Sequence, residues 1–171
     1  MKPILALAGV LAVSSAGVAS KPFDVHDLVT MERVSAPVLS PDGTQVAFGL
    51  RQTDYEANKG RNSVWRVPLA GGEPRRLTEE ALNASGAQWS SDGASVYFLA
   101  PKDGTSQLWH VGAKGGTAIQ ATSLALDVNN FKLSPDGEHV LLSIDVFPDC
   151  AGEADAIDCT KKELDARDAD K

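Results

Sequence analysis

One segment of this chain returns three times. Leu39-Ser-Pro-Asp-Gly-Thr-Gln-Val-Ala-Phe-Gly-Leu50 reappears as Trp89-Ser-Ser-Asp-Gly-Ala-Ser-Val-Tyr-Phe-Leu-Ala100 and as Leu133-Ser-Pro-Asp-Gly-Glu-His-Val-Leu-Leu-Ser-Ile144. A second element repeats beside it: Val64-Trp-Arg-Val-Pro-Leu-Ala-Gly-Gly72 matches Leu108-Trp-His-Val-Gly-Ala-Lys-Gly-Gly116. Trp65 to Trp109, Gly71 to Gly115 and Asp92 to Asp136 are each a step of 44 residues. Three independent landmarks on one period make a repeat architecture the first constraint on the fold. Asp42 to Asp92 is a step of 50, and the polar stretch 52–62 is where the six extra residues are expected.

The chemistry of the unit says what is being repeated. In Ser-Pro-Asp-Gly the proline presets φ, the aspartate caps locally and the glycine accepts a left-handed backbone, so Asp42, Gly43, Asp92, Gly93, Asp136 and Gly137 are predicted turn residues. The short apolar-rich runs after each turn, Gln45 to Phe48 and Ser95 to Phe98, read as strands. Gly71-Gly72 and Gly115-Gly116 mark a second tight turn between two further strands. Four short strands in a 44-residue period are the pattern of a β-propeller blade. A four-stranded sheet cannot bury both faces alone, and stacking against neighbouring blades supplies the core. Phe48, Trp65, Phe98 and Trp109 are the side chains predicted to fill that interblade space. The expected fold is all-β: blades at about 36–78 and 87–122, and a third at 130–148 that does not finish. A closed propeller needs at least four blades, so the natural protein is expected to be longer than this chain, or this chain to be a fragment.

The flanks differ from the repeat. Residues 1–20 run from a lysine through an apolar stretch to small residues, the order of a secretory signal peptide, too short to span a bilayer. Residues 21–35 are expected to hold a short lead-in helix. Residues 149–171 form a polar tail with no strand pattern, for which a helix over 160–169 and disorder are the two readings. An exported protein meets an oxidising compartment, so Cys150 and Cys159 are expected to form a disulfide; two free thiols are the alternative. A metal site fits less well, because His26, His110 and His139 have no second ligand at the usual spacing. No cofactor is expected. The net charge of −7 argues against a nucleic-acid partner, and no membrane partner is expected once the signal peptide is removed.

Phe23-Asp-Val-His-Asp-Leu-Val-Thr-Met-Glu-Arg-Val-Ser-Ala-Pro-Val-Leu-Ser-Pro-Asp-Gly43 resembles the opening of the prolyl oligopeptidase family of serine peptidases, and within it the exported bacterial dipeptidyl aminopeptidase and acylaminoacyl-peptidase branch. The Phe147-Pro-Asp-Cys150 and Cys159-Thr-Lys segments resemble a cysteine-bearing insertion of exported members. The Ser-Pro-Asp-Gly blade by itself is shared with other periplasmic propellers, including the Tol-system type. The resemblance implies an N-terminal propeller that gates peptide substrates and a C-terminal α/β-hydrolase domain bearing the serine, aspartate and histidine. The chain contains no Gly-x-Ser-x-Gly: Gly93-Ala-Ser95 and Gly104-Thr-Ser106 fail at the last glycine. No catalytic residue is therefore assigned, and peptide is the expected substrate only together with the hydrolase domain. A non-catalytic propeller that binds protein partners is the alternative.

The remaining polar residues read as structural. The three histidines are expected at the surface or satisfied, and the repeated aspartates to serve their turns. Arg75-Arg76 and Lys161-Lys162 are isolated basic pairs, too small for an anion site without help. Asp54, Glu56 and Lys59 sit in the extra loop of the first unit, where a rim loop can touch substrate. Asn83-Ala-Ser85 fits a glycosylation acceptor in a host that glycosylates there.

Overall fold

Each Ser-x-Asp-Gly turn closes the same hydrogen-bonded loop in this computed structural model, which describes residues 21–169. Gly43 N donates to Ser40 O at 2.9 Å and Ser40 N to Gln45 O at 2.8 Å, and the pattern recurs from Ser90 and from Ser134. The three glycines have φ of 72°, 69° and 76°, a left-handed backbone that a side chain would strain. Each turn therefore sends the chain back on itself, and the β-prone residues that follow pair with those before. The predicted signal peptide, 1–20, lies outside the described residues.

A short helix, α1 (Val25–Thr30), opens the described chain, its N-terminus closed by reciprocal bonds between Asp24 and Asp27. The first blade then follows as β1 (Arg33–Leu39), β2 (Gln45–Asp54), β3 (Lys59–Pro68) and β4 (Arg75–Arg76). The second is β5 (Ser85–Trp89), β6 (Ser95–Lys102), β7 (Thr105–Gly112) and β8 (Ile119–Gln120). Both are antiparallel sheets with strands in sequence order. β9 (Asn130–Leu133) and β10 (Val140–Ser143) form the two-stranded start of a third. The six extra residues of the first unit lengthen its central hairpin: β2 and β3 have ten residues each where β6 and β7 have eight, and the connecting turn is longer by two.

Three boundaries differ from the sequence expectation. β1 begins at Arg33, inside the stretch expected to lead in, and β5 at Ser85 rather than 87. The cause is a β-bulge in each strand, between Ser35 and Val38 and between Ser85 and Gln88, which carries pairing past the break in alternation. The bulge needs a left-handed residue. Gly86 supplies it at φ 71°, whereas the equivalent residue in β1 is Ala36, at φ 46°. The tail forms the helix α2 (Ala156–Ala169), which starts four residues before the expected position. Its first turn is set by Cys159 N donating to Asp155 O at 2.9 Å.

The core lies between blades. Val96, Phe98, Ala100 and Val111 of the second blade, with Ala87 of its first strand, pack on Ala47 and Val64 of the first blade and on Leu77 and Ala84 of the connection between them, with Trp109 at the margin. On the other side of the same sheet, Leu99 and Leu108, with Tyr97 beside them, meet Val128, Phe131, Leu133 and Leu142. The first strands lie beside one another, joined by side-chain bonds: Trp89 Nε1 donates to Val38 O at 3.1 Å and Gln88 Nε2 to Phe131 O at 2.8 Å.

The rule of assembly follows from the register. The front face of the second blade, carrying Phe98 and Trp109, seats on the back face of the first. Of the four predicted interblade side chains, Phe98 and Trp109 occupy that interface. Phe48 and Trp65 pair across β2 and β3 on the front face of the first blade, which no other blade covers among the described residues, and they stay partly exposed. They hold the same repeat positions, but among the described residues no other blade packs on them.

Candidate functional site

Each turn aspartate bonds within its own turn. Asp42 Oδ1 accepts from Ser40 Oγ at 2.6 Å and from Thr44 N at 3.0 Å, and Oδ2 accepts from Thr44 Oγ1 at 2.9 Å. Asp92 accepts from Ser90 Oγ at 2.6 Å and Ala94 N at 2.9 Å, and Asp136 likewise from Ser134 Oγ and Glu138 N. The serine hydroxyl is the largest cause that holds each carboxyl below the ordinary aspartate value, with the backbone N–H next. Carboxylates committed to three matching turns are structural groups. Asp136, Glu138 and His139 do bring one ligand atom each to within 4.8 Å of one another, all exposed. The corresponding positions after the other two turns are Thr44-Gln45 and Ala94-Ser95, so the grouping belongs to one surface turn and carries no metal assignment.

The other candidates separate in the same way. Ser95 N donates to Ser90 Oγ and Ser106 N to Asp127 Oδ1; both serines are strand residues of a blade. His26 lies on α1 with its ring edge-on to Tyr55 at 5.1 Å, His110 stacks on Tyr97 at 5.3 Å, and His139 directly precedes β10. In the hairpin tip of the first blade, Asp54 accepts from Ala57 N at 2.9 Å and pairs with Arg61 at 2.7 Å. The Ala57 N–H, then Arg61, hold its carboxyl below the ordinary value. Asp54 is therefore occupied in shaping the tip, and Glu56 and Lys59 are the exposed charges there. Asn83 has a left-handed backbone, and its Oδ1 accepts from Asn62 N at 2.8 Å.

Cys150 and Cys159 form a disulfide with Cα atoms 5.7 Å apart. It closes the loop between the 3₁₀ turn Pro148–Cys150 and α2. Two more contacts fasten the helix to the same place: Phe147 N donates to Thr160 Oγ1 at 3.1 Å, and the Arg167 guanidinium lies 4.2 Å over the Phe147 ring. Lys161 pairs with Asp165 along the helix.

Sequence reading missed a cross-strand arrangement. Arg75 and Arg76 are not a basic pair in space. They fall on opposite faces of β4, Arg76 opposite Trp65 and Arg75 opposite Arg66. Arg76 lies 5.3 Å over the Trp65 ring and pairs with Glu80 at 3.3 Å, while Arg66 and Arg75 share the back face toward the second blade. The only signal in the sequence was the register itself, which fixes Arg66 against Arg75 once the Gly71-Gly72 turn is placed.

This arrangement of blades has counterparts among known proteins. Dipeptidyl-peptidase 5 of Porphyromonas gingivalis is 30% identical over 79 residues, 46% of this chain. The matched segment spans only 12% of that relative's length. Among solved structures, an acylaminoacyl peptidase of Pyrococcus horikoshii superposes with a TM-score of 0.56 at 21% identity, over 67% of this chain and 18% of that one. TolB of Acinetobacter baumannii superposes with a TM-score of 0.53 at 22% identity, over 63% of this chain and 26% of that one. These two likenesses are of fold. The resemblance to the propeller part of prolyl oligopeptidase-type peptidases, read from residues 23–43 and the repeat, is met again in the first two relatives. The family profile described as PD40, the TolB beta propeller domain, matches residues 26–147, and with blades built as described above this chain belongs to that propeller family.

Proposed function

We propose that this chain is the propeller portion of an exported serine peptidase that removes dipeptides or acylated residues from peptide N-termini. In this reading the blades restrict access to peptides and position them, and an α/β-hydrolase domain supplied by further sequence performs acyl transfer. The observation that carries it is the 30% identity to dipeptidyl-peptidase 5, which runs through nearly half of this chain. Two features agree with export: the signal-like order of residues 1–20 and the disulfide that ties α2 down. Among the described residues no helix is long and apolar enough to cross a membrane.

The test is to read the gene beyond the codon for Lys171 and to treat its full product with a fluorophosphonate probe and with dipeptide fluorogenic substrates. A continuing frame that reaches a Gly-x-Ser-x-Gly elbow, with covalent labelling of that serine and release of dipeptides, supports the reading. A product that ends after further blades and takes no label overturns it. That outcome favours the second reading, a non-catalytic periplasmic propeller that binds proteins, which the fold likeness to TolB keeps in view.

A further inference from the structure

We propose that the cleft between the first and second blades binds a small oxyanion of the carboxylate type, held by Arg66, Arg75 and Lys114. The cleft lies at the end of the blades where the Ser-x-Asp-Gly turns sit, and encloses about 450 Å³. Its lining carries those three cations against a single carboxylate, Asp42. Asp42 accepts three hydrogen bonds from Ser40 and Thr44 and forms no ion pair with these cations among the described residues.

Register makes the cluster. Arg66 on β3 stands directly across from Arg75 on β4, and like charges opposite one another in a sheet repel. Other arginines of this blade are neutralised: Arg61 by Asp54 and Arg76 by Glu80. Neither Arg66 nor Arg75 nor Lys114 has a carboxylate within ion-pair reach among the described residues. Arg66 spends one nitrogen on Gln45, at 2.9 Å, and its Nε is buried with no hydrogen-bond partner. Nor does the blade architecture require these charges. The repeat puts His110 and Ile119 at the same two positions of the second blade, paired across β7 and β8 in the same way. Two guanidinium groups and an ammonium around an open cleft suit a small oxyanion that accepts from several donors at once. A peptide carboxylate and free phosphate share that chemistry. The inference does not rest on the peptidase reading, because it uses only the geometry of two blades.

The experiment is calorimetric titration of the full chain at pH 8 with N-acetyl-dialanine, with its C-terminal amide, and with inorganic phosphate. Two variants accompany it: Arg66→His with Arg75→Ile, which copies the second blade, and Lys114→Gln on an exposed turn. Circular dichroism checks that both stay folded. The expected result is saturable binding of an oxyanion in the millimolar range or tighter, at least tenfold weaker in the double variant and weaker in Lys114→Gln. Binding of the peptide acid but not its amide supports a peptide terminus as the source. Binding of phosphate alone supports the site with a free oxyanion as its source. Absence of saturable binding by either anion, or equal binding by folded variants and wild type, overturns the proposal.

Discussion

The first and second blades are the same sheet in different surroundings. Both have four antiparallel strands in sequence order, matched turns and matched bulges. The second is sandwiched: Phe98 is fully buried against the first blade, while Leu99 and Leu108, on the opposite face, are buried against the third. In the first, Ala47 and Val64 on the back face are fully buried, while on the front face Leu50 and Ser63 are buried but Phe48 and Trp65 stay partly exposed. Equal sequence thus yields unequal burial, and the stability of a blade is mostly a property of its neighbours. Polar groups show the same contrast. Buried Gln107 in the second blade bonds to Thr105, Thr122, Leu124 and Leu126, and so ties down the chain that leads to the third; the equivalent residue in the first blade is Ser63, with bonds to Leu50 O and the Trp65 ring nitrogen.

The largest test of this contrast is a pair of matched truncations. Phe98→Ala should cost about 3–5 kcal/mol in denaturant unfolding, through lost burial and the cavity left behind, and Phe48→Ala less than half of that. Equal losses would break the comparison. Next in size is the segment that belongs to neither blade. Replacing Cys150 and Cys159 by serine should remove about 2–3 kcal/mol of local stabilisation. Hydrogen exchange should then quicken over 156–169 while protection of β6 and β7 stays unchanged; loss of protection in the blades would show that α2 supports them. A smaller effect of opposite sign comes from the bulges. Ala36→Gly removes a left-handed alanine and should stabilise the chain by about 1 kcal/mol, whereas Gly86→Ala should cost about as much. A destabilised Ala36→Gly variant would mean that the first bulge is shaped by something other than its backbone.

The smallest effect is electrostatic. The folded state lowers the carboxyl values of Asp42, Asp92 and Asp136 below 3.8, so their contribution is complete above that value and is lost as pH falls through the lower folded one. The melting temperature should accordingly drop below about pH 4, less steeply in Asp92→Asn. Asp42 accepts one bond more than Asp92, from Thr44 Oγ1, so a carboxyl NMR titration should find it the more acidic of the two. Thr44→Ala should erase the difference, and an unchanged gap would remove the hydroxyl as its cause.

Strands and turns were legible in the sequence because their causes are local. Asp-Gly turns, β-branched runs and Gly-Gly pairs act within a few residues, so each hairpin could be placed from the repeat alone. What depends on a distant partner was not. Phe48 and Phe98 hold the same repeat position, and the stacking order decides which is buried. The bulges hid because Ser35 and Ser85 pair past a residue that breaks the two-residue alternation. α2 stayed one of two readings because Ile157 and Leu164 are too few to make an apolar stripe; the disulfide and the Phe147 contacts hold the helix instead. The arginine pair of the first blade hid most completely. Arg75 stands next to Arg76 in sequence, while its cross-strand neighbour is Arg66.

The opposed faces of a blade have an evolutionary corollary. A unit that carries bulky rings on one side and the shallow seat for such rings on the other can be copied in tandem, and each copy meets a surface that already fits it. Gene duplication then lengthens the array without inventing a new contact. Differences confined to one copy, such as Arg66 where the second copy has His110, are free to specialise a single cleft while the remaining joints keep the shared fit.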